Sequence, residues 1–272
     1  MQRKTFVVLL CALCVSVASG TSRAQEARLV VSVANQFGFP VSDLTAQDFT
    51  VTVDKAARPV TAARYQKDTL ADIVLLLDTS EVGAPLRAEI QHVAALLINR
   101  LGEKDQMAII GYAISADLVQ EFTNSKTLLK RAVAGLKYGN RPALLDAMYA
   151  ALNGAFEQAA GRRILVVISS GLDWRNKVDR REVIASARRN QVSVFAISFA
   201  GDGDLEKIAE QTAGHFYRGR ELKQIQQLAE NLASAFRGHY ELALPGPPPE
   251  TGRLKVEVTR GEKMRVGCRL AP

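Results

Sequence analysis

Continuous apolar runs that alternate with amphipathic stretches constrain the fold of this chain more than any other feature. "DIVLLLD" (72–78) and "RILVVISS" (163–170) have no polar alternation, which is typical of strands buried on both faces of a parallel sheet. Helical spacing of apolar residues separates such runs from one another, at 84–101, 125–137, 143–160, 179–190, 204–212 and 221–237. The sequence therefore predicts an α/β fold with a doubly wound, mostly parallel sheet.

The segments on either side of this region have a different pattern. Residues 27–66 and 239–272 alternate apolar and polar side chains, and turn residues such as "NQFGFPVSD" interrupt them. Two or three strands bury too little surface to be stable alone. We therefore expect the two segments to pair into one small β-sandwich, with the α/β domain of residues 70–238 inserted between them.

The first residues have the layout of a secretory signal peptide. Arg3 and Lys4 precede an apolar stretch, and small residues follow it up to Ala24. We expect cleavage of 1–24 and export to the periplasm or the medium, with no membrane span in the mature chain; the alternative is an uncleaved N-terminal anchor. Cys11 and Cys14 would leave with the peptide. Cys268 would then be the only cysteine left, which excludes an internal disulfide.

The net charge gives no indication of a nucleic-acid partner. It is +7 for the whole chain, and three of the basic residues lie in the predicted signal peptide. The arginine pairs at 162–163, 180–181 and 188–189 have no aromatic stacking platform beside them, and we interpret them as solvated helix ends. We expect a protein partner outside the cytoplasm, and no nucleic acid.

Several segments resemble the von Willebrand factor type A domain family, in the family's order. "DIVLLLDTS" is similar to its first strand and metal loop, "GNRPALLDAMYAAL" to its second loop and third helix, and "RRILVVISSGLD" to its fourth strand and third loop. "FPVSDLTAQDFTVTVD" resembles the flank of the exported bacterial "VWFA-related" (Acidobacterial-type) group. The resemblance implies a metal-ion-dependent adhesion site at the carboxyl ends of the strands.

The residues that the resemblance places at that site are an incomplete set. Asp78 and Ser80 match the first loop, but Val82, Pro142 and Ser170 stand where the family has a serine, a threonine and an aspartate. Mg²⁺ requires near-octahedral oxygen coordination at about 2.1 Å. We therefore expect a degenerate site without a bound cofactor, in which Asp78 and Ser80 hydrogen-bond to backbone amides. The alternative is Mg²⁺ binding at Asp78 and Ser80 with a substitute ligand, which could be Glu81, Asp173 or the Ser170 hydroxyl.

The same loops contain candidates for partner binding. Trp174, the only tryptophan, follows the third loop beside Arg175, and Arg141 lies in the second loop. An exposed Trp and Arg pair at this edge of the sheet would suit a protein interface. The alternative is that Trp174 folds down over the edge of the domain.

No catalytic constellation stands out in the sequence. His92, His215 and His239 have no neighbours at metal-ligand spacing, and nucleophile elbows and phosphate loops are absent. We expect a non-enzymatic interaction or adhesion module with a metal-independent binding face. The alternatives are a metal-dependent adhesin and a structural component of a cell-envelope assembly.

Overall fold

The computed structural model describes residues 26–67, 69–201, 203–219, 225–249, 254–261 and 263–271 of the 272-residue chain. The predicted signal peptide, residues 1–24, lies outside these residues, and so do Cys11 and Cys14. No helix in the described ranges is long and apolar enough to cross a membrane.

Four short strands come first in the chain, as the alternating pattern of the N-terminal flank predicts. They are β1 (Glu26–Ala34), β2 (Phe49–Val53), β3 (Ala56–Arg58) and β4 (Ala62–Gln66). A 3-10 turn at Ala46–Asp48 leads into β2, and Thr45 and Asp48 form a capping box there.

Strands and helices then alternate to form the α/β domain. The strands are β5 (Ala71–Asp78), β6 (Gln106–Tyr112), β7 (Ala116–Thr123), β8 (Arg162–Ser169), β9 (Ser193–Ser198) and β10 (Phe216–Arg218). The helices are α1 (Arg87–Asn99), α2 (Lys126–Ala134), α3 (Leu144–Gly154), α4 (Arg180–Arg189), α5 (Gly203–Glu210) and α6 (Ile225–Arg237). Three strands close the chain, β11 (His239–Pro245), β12 (Leu254–Val258) and β13 (Arg265–Leu270).

The central sheet has the strand order β10-β9-β8-β5-β6-β7, with only β7 antiparallel to its neighbour. Every residue of β5 is buried, because helices cover both faces of the sheet. Apolar side chains of α1, α2 and α6 pack on one face, and those of α3, α4 and α5 pack on the other. The predicted α/β fold class is confirmed.

The two flanks join in a β-sandwich. β1 lies between β11 and β13 in a four-stranded antiparallel sheet of order β13-β1-β11-β4, and β12, β2 and β3 form the second sheet. Side chains from both sheets fill a shared core, in which the Tyr240 ring contacts Phe49 and Tyr65 edge to face. The Tyr240 hydroxyl accepts a hydrogen bond from the Leu44 amide at 3.0 Å.

Buried polar side chains lie at the amino-terminal end of the central sheet, where the sandwich packs against it. Arg162 donates to the carbonyl oxygens of Ala235 and Phe236 at 3.0 and 2.9 Å, at the carboxyl end of α6. Arg269 of β13 donates to the Gln191 side chain. The prediction that Arg162 is a solvated helix end is wrong, because this residue begins a central strand whose first position lies under α6.

Candidate functional site

Asp78 ends β5 at the centre of the sheet and is fully buried. Its Oδ1 accepts hydrogen bonds from the Ser80 amide at 3.0 Å and from the Ser80 hydroxyl at 2.5 Å. Its Oδ2 accepts a hydrogen bond from the Ser170 amide at 2.9 Å, which joins the ends of β5 and β8. Both carboxylate oxygens are therefore acceptors in protein hydrogen bonds.

The turn after Asp78 encloses the carboxylate. The Ser80 hydroxyl accepts a hydrogen bond from the Gly83 amide at 3.2 Å. A Cβ atom at Gly83 would lie 2.5 Å from Asp78 Oδ1, so only glycine can pack so close to the carboxylate. The neighbouring loop is tied to this turn by backbone hydrogen bonds from Glu81 to Asn140, at 2.7 Å, and from Gly139 to Thr79, at 2.9 Å.

Two further polar side chains lie behind Asp78. The Tyr112 hydroxyl donates to the Ser169 hydroxyl at 3.0 Å, and both residues are buried. Burial raises the pKa of Tyr112 well above its ordinary value, and the negative charge of Asp78 raises this pKa further. Tyr112 is therefore a neutral hydrogen-bond donor at physiological pH.

The positions that depart from the family pattern have other contacts. Pro142 accepts a backbone hydrogen bond from Trp174 at 3.1 Å through its carbonyl oxygen. The buried Ser170 hydroxyl accepts a hydrogen bond from the Leu172 amide at 3.4 Å. Val82 is half-buried and has no side-chain oxygen.

The two carboxylates that were predicted as substitute ligands have contacts of their own. Asp173 Oδ1 accepts hydrogen bonds from the amides of Leu144 and Trp174 at 3.0 and 2.8 Å, and Oδ2 accepts one from the Asn176 side chain at 2.7 Å. Asp173 therefore caps the amino terminus of α3. Glu81 is exposed, and only its backbone is tied to the neighbouring loop.

The segment after β8 is fixed to α3 in both directions, which sequence reasoning missed. The Asn176 side chain accepts hydrogen bonds from the Leu145 and Asp146 amides at 2.9 and 3.2 Å. Asp146 Oδ1 accepts in return from the Lys177 and Val178 amides at 2.8 and 3.0 Å. This loop is therefore held rigidly although it lies at the surface.

Trp174 lies exposed on that loop. Its side chain is 60% accessible, so it does not fold down over the edge of the domain. The Arg141 guanidinium stacks over the indole, with 4.5 Å between Cζ and the ring centroid. The sequence suggested Arg175 as the neighbour of Trp174. The structure pairs Trp174 with Arg141 instead, because the backbone bond to Pro142 brings the two loops together.

Two large apolar side chains extend this surface. Ile114 is 68% exposed in the turn between β6 and β7, and Leu172 is 52% exposed after β8. The Ala143 amide donates to the Ala113 carbonyl oxygen at 2.8 Å, which fixes the first of these turns beside the Arg141 loop. We call this surface the loop face, defined by Ile114, Arg141, Leu172, Trp174 and Arg175.

In the described part of the chain, no three His, Cys, Asp or Glu side chains are grouped closely enough to hold a metal ion. At Asp78 the carboxylate contacts the Ser80 hydroxyl and the amides of Ser80 and Ser170. Each of the carboxylate oxygens already accepts hydrogen bonds from the protein. This donor set does not fit Mg²⁺, which needs six oxygen ligands at about 2.1 Å.

The model of the von Willebrand factor type A domain family matches residues 72–231, which is more than half of the chain. The chain belongs to this family. No curated protein has a sequence similar enough to match it.

Solved structures with the von Willebrand A fold resemble the chain at low sequence identity. A von Willebrand factor type A protein from Catenulispora acidiphila is 12% identical, with a TM-score of 0.56, over 90% of this chain and 74% of that one. The vWF domain of the type V pili tip protein Mfa5 from Porphyromonas gingivalis is 10% identical, with a TM-score of 0.51, over 61% and 94%.

A third structure is proximal thread matrix protein 1 from the mussel byssus, described as having a zinc-occupied MIDAS motif. It is 18% identical, with a TM-score of 0.54, over 67% of this chain and 49% of that one. At these identities the likeness of all three shows the von Willebrand A fold.

Proposed function

We propose that this chain is an exported, non-enzymatic module that binds another protein through the loop face without a metal ion. The observation that carries the proposal is the exposed Trp174 with Arg141 stacked on it. Tryptophan and arginine are enriched among the residues that dominate binding energy at protein interfaces. The exposed apolar side chains of Ile114 and Leu172 on the same face also support a protein interface.

The surroundings of Asp78 support independence from metal. A cation there would have to compete with the Ser80 and Ser170 donors for the carboxylate oxygens. The metal-dependent alternative needs Glu81 or Asp173 as a ligand. Asp173 would have to release the amino terminus of α3, which makes that alternative less favourable.

Export and envelope localisation rest on the sequence. The signal-peptide layout of residues 1–24 supports them, and the N-terminal flank supports membership in the exported "VWFA-related" group. Two of the similar structures come from a pilus tip protein and a byssus matrix protein, which agrees with an extracytoplasmic adhesion role. A structural role of the β-sandwich in an envelope assembly is the alternative that the following experiment separates.

Site-specific photo-cross-linking in the native host tests the loop face. A photoreactive phenylalanine analogue replaces Ile114 or Leu172 in the full chain. Leu128 is the matched control, because it is also an exposed apolar residue but lies in the first turn of α2, far from the loop face. We expect a discrete adduct from positions 114 and 172, unchanged by EDTA, and none from 128.

Adducts lost in EDTA would favour the metal-dependent adhesin. Loss of assembly on deleting 27–65, with no adduct from the loop face, would favour the structural role.

A further inference from the structure

The Arg141 guanidinium is held in a fixed orientation with its donors available. A guanidinium that stacks on an aromatic ring keeps its N–H groups in its own plane, where they point past the rim of the ring. Trp174 provides that ring at 4.5 Å. The stack therefore leaves the bidentate edge of Arg141 free to meet a planar acceptor from outside.

The charge of Arg141 is not neutralised by the described part of the chain. No carboxylate there lies within ion-pair distance of this guanidinium. In the carboxylate next to Trp174 in sequence, Asp173, Oδ1 caps α3 and Oδ2 accepts a hydrogen bond from the Asn176 side chain. Arg175 and Lys177 are exposed on the same loop and add positive charge. The loop face thus has a cationic centre that complements a negative group.

The backbone around this centre is already ordered. Gly139 and Asn140 have positive φ angles of 159° and 63°, and Asn140 occupies the left-handed region that non-glycine residues rarely adopt. The Glu81 amide and the Trp174 amide fix this loop from both sides. Because little conformational freedom remains to be lost, a ligand here would bind with a small ordering cost.

Apolar side chains flank the cationic centre. Ile114 lies on a turn fixed to the second loop, and Leu172 is two residues before Trp174. A ligand that placed only a carboxylate on Arg141 would leave these surfaces in water. A protein segment with apolar side chains next to its acidic residue would cover them.

We propose that Arg141, stacked on Trp174, binds a carboxylate of the partner protein, and that Ile114 and Leu172 receive the apolar residues beside that carboxylate. This inference rests on the proposed function and specifies the partner's chemistry. An arginine fork would supply the positive charge at the carboxyl end of the sheet. A planar carboxylate can accept two parallel hydrogen bonds from it.

The single tryptophan makes the test direct. The Trp174 indole N–H gives one resonance in a ¹⁵N-correlated NMR spectrum of the chain. The probe is the capped peptide acetyl-Gly-Leu-Asp-Leu-Gly-amide, and the same peptide with Asn in place of Asp is its neutral match. Each peptide is added to the chain up to a concentration of about 10 mM, in a buffer that contains EDTA. This range detects dissociation constants in the millimolar range.

We expect the Asp peptide to shift the indole resonance, with affinity about tenfold above that of the Asn peptide. Arg141→Gln should lose this preference. Arg141→Lys should lose most of it, because an ammonium group has no planar fork. Arg64→Gln is the control and should stay within about threefold of the parent, since Arg64 is exposed on β4 of the β-sandwich, outside the loop face. The proposal is overturned if the indole resonance does not shift when the Asp peptide is added, or if it shifts equally with both peptides.

Photo-cross-linking from position 172 separates this inference from the function on which it rests. Adduct formation that persists in Arg141→Gln, with no Asp preference in the peptide titration, would leave the loop face as an interface and refute carboxylate recognition. Absence of any adduct from 114 and 172 in the parent chain would refute the loop face as the interface.

Discussion

The two ends of the central sheet each bury a charged side chain, and the two charges are satisfied in opposite ways. At the carboxyl end, Asp78 accepts hydrogen bonds from two amides and a hydroxyl. At the amino end, Arg162 donates to carbonyl oxygens where α6 terminates. Within the described residues, neither charge has an oppositely charged side chain within ion-pair distance.

The ends differ in what lies above the buried charge. The amino end is covered by the β-sandwich, and Arg162 Nε and Nη2 have no partner among the described residues. In the described ranges, the carboxyl end is covered by its own loops alone, and these present exposed side chains. This comparison indicates that the amino end joins the α/β domain to the β-sandwich. The exposed side chains at the carboxyl end agree with the proposal that a partner protein binds there.

The largest loss of stability should come from replacing Arg162 at the amino end of the central sheet. Arg162→Ala removes the donors to the α6 carbonyl oxygens and leaves space in a buried position, so we expect a loss of about 3 kcal/mol in the free energy of unfolding. Urea unfolding followed by circular dichroism measures it. Arg163→Ala is the neighbouring control and should cost under about 1 kcal/mol, because Arg163 is only half-buried. Equal losses in the two variants would contradict a joining role for Arg162.

Replacing Asp78 at the carboxyl end of the central sheet should lower the free energy of unfolding less. Asp78→Ala leaves the Ser80 and Ser170 amides without their acceptor, so we expect about 2 kcal/mol of destabilisation in the same unfolding experiment. Calorimetric titration of the parent chain with Mg²⁺ and Mn²⁺ should give no binding heat, and the variant serves as its control. Binding heat that Asp78→Ala abolishes would show that Asp78 holds a metal and not only the loops.

Acid should weaken the amino end selectively. Burial lowers the pKa of His215 and of His239 to about 3, with further lowering by nearby arginines. Both are therefore neutral in the fold but protonate near pH 6.5 when unfolded. Their contribution is complete above pH 6.5 and is lost progressively as the pH falls from there towards 3. We expect a loss of about 1 kcal/mol per histidine between pH 7 and 5.5. His239→Gln should lessen this pH dependence, and an unchanged slope would contradict the assignment.

The smallest effect on stability should come from the loop face. Trp174→Leu and Arg141→Gln alter exposed side chains, so the free energy of unfolding should change by less than about 0.5 kcal/mol. Binding should change while stability does not. A loss above about 1.5 kcal/mol in either variant would mean that the stack supports the fold, which would weaken its interpretation as a binding surface.

Most of the fold could be predicted because apolar periodicity marks elements whose burial is nearly complete. β5 and β8 occur where their uninterrupted apolar runs place them, and the β flanks pair as their lack of a core requires. Predicted ends were less accurate: the helix expected over 143–160 ends at Gly154. Helix ends depend on local capping, which periodicity does not record.

The site was only partly predictable. Asp78, Ser80 and Ser170 could be placed together, because parallel strands bring their carboxyl ends to one edge. The Arg141 and Trp174 pair could not, since the two residues are far apart in sequence and meet through a backbone hydrogen bond. From the sequence, Asp173 was predicted as a substitute metal ligand because its hydrogen-bond partner in α3 is far from it in sequence. Its Oδ1 accepts from the first amide of α3, a helix that begins 29 residues earlier.

The position of β1 between β11 and β13 sets the order in which the chain can be completed. β1 precedes the α/β domain in sequence, but both strands that flank it follow that domain. All strands of the α/β domain lie between β4 and β11 in sequence, so this domain can fold as a unit before the strands that pair with β1 have been synthesised. The sandwich can therefore close only after the α/β domain and the strands β11 and β13 have been synthesised.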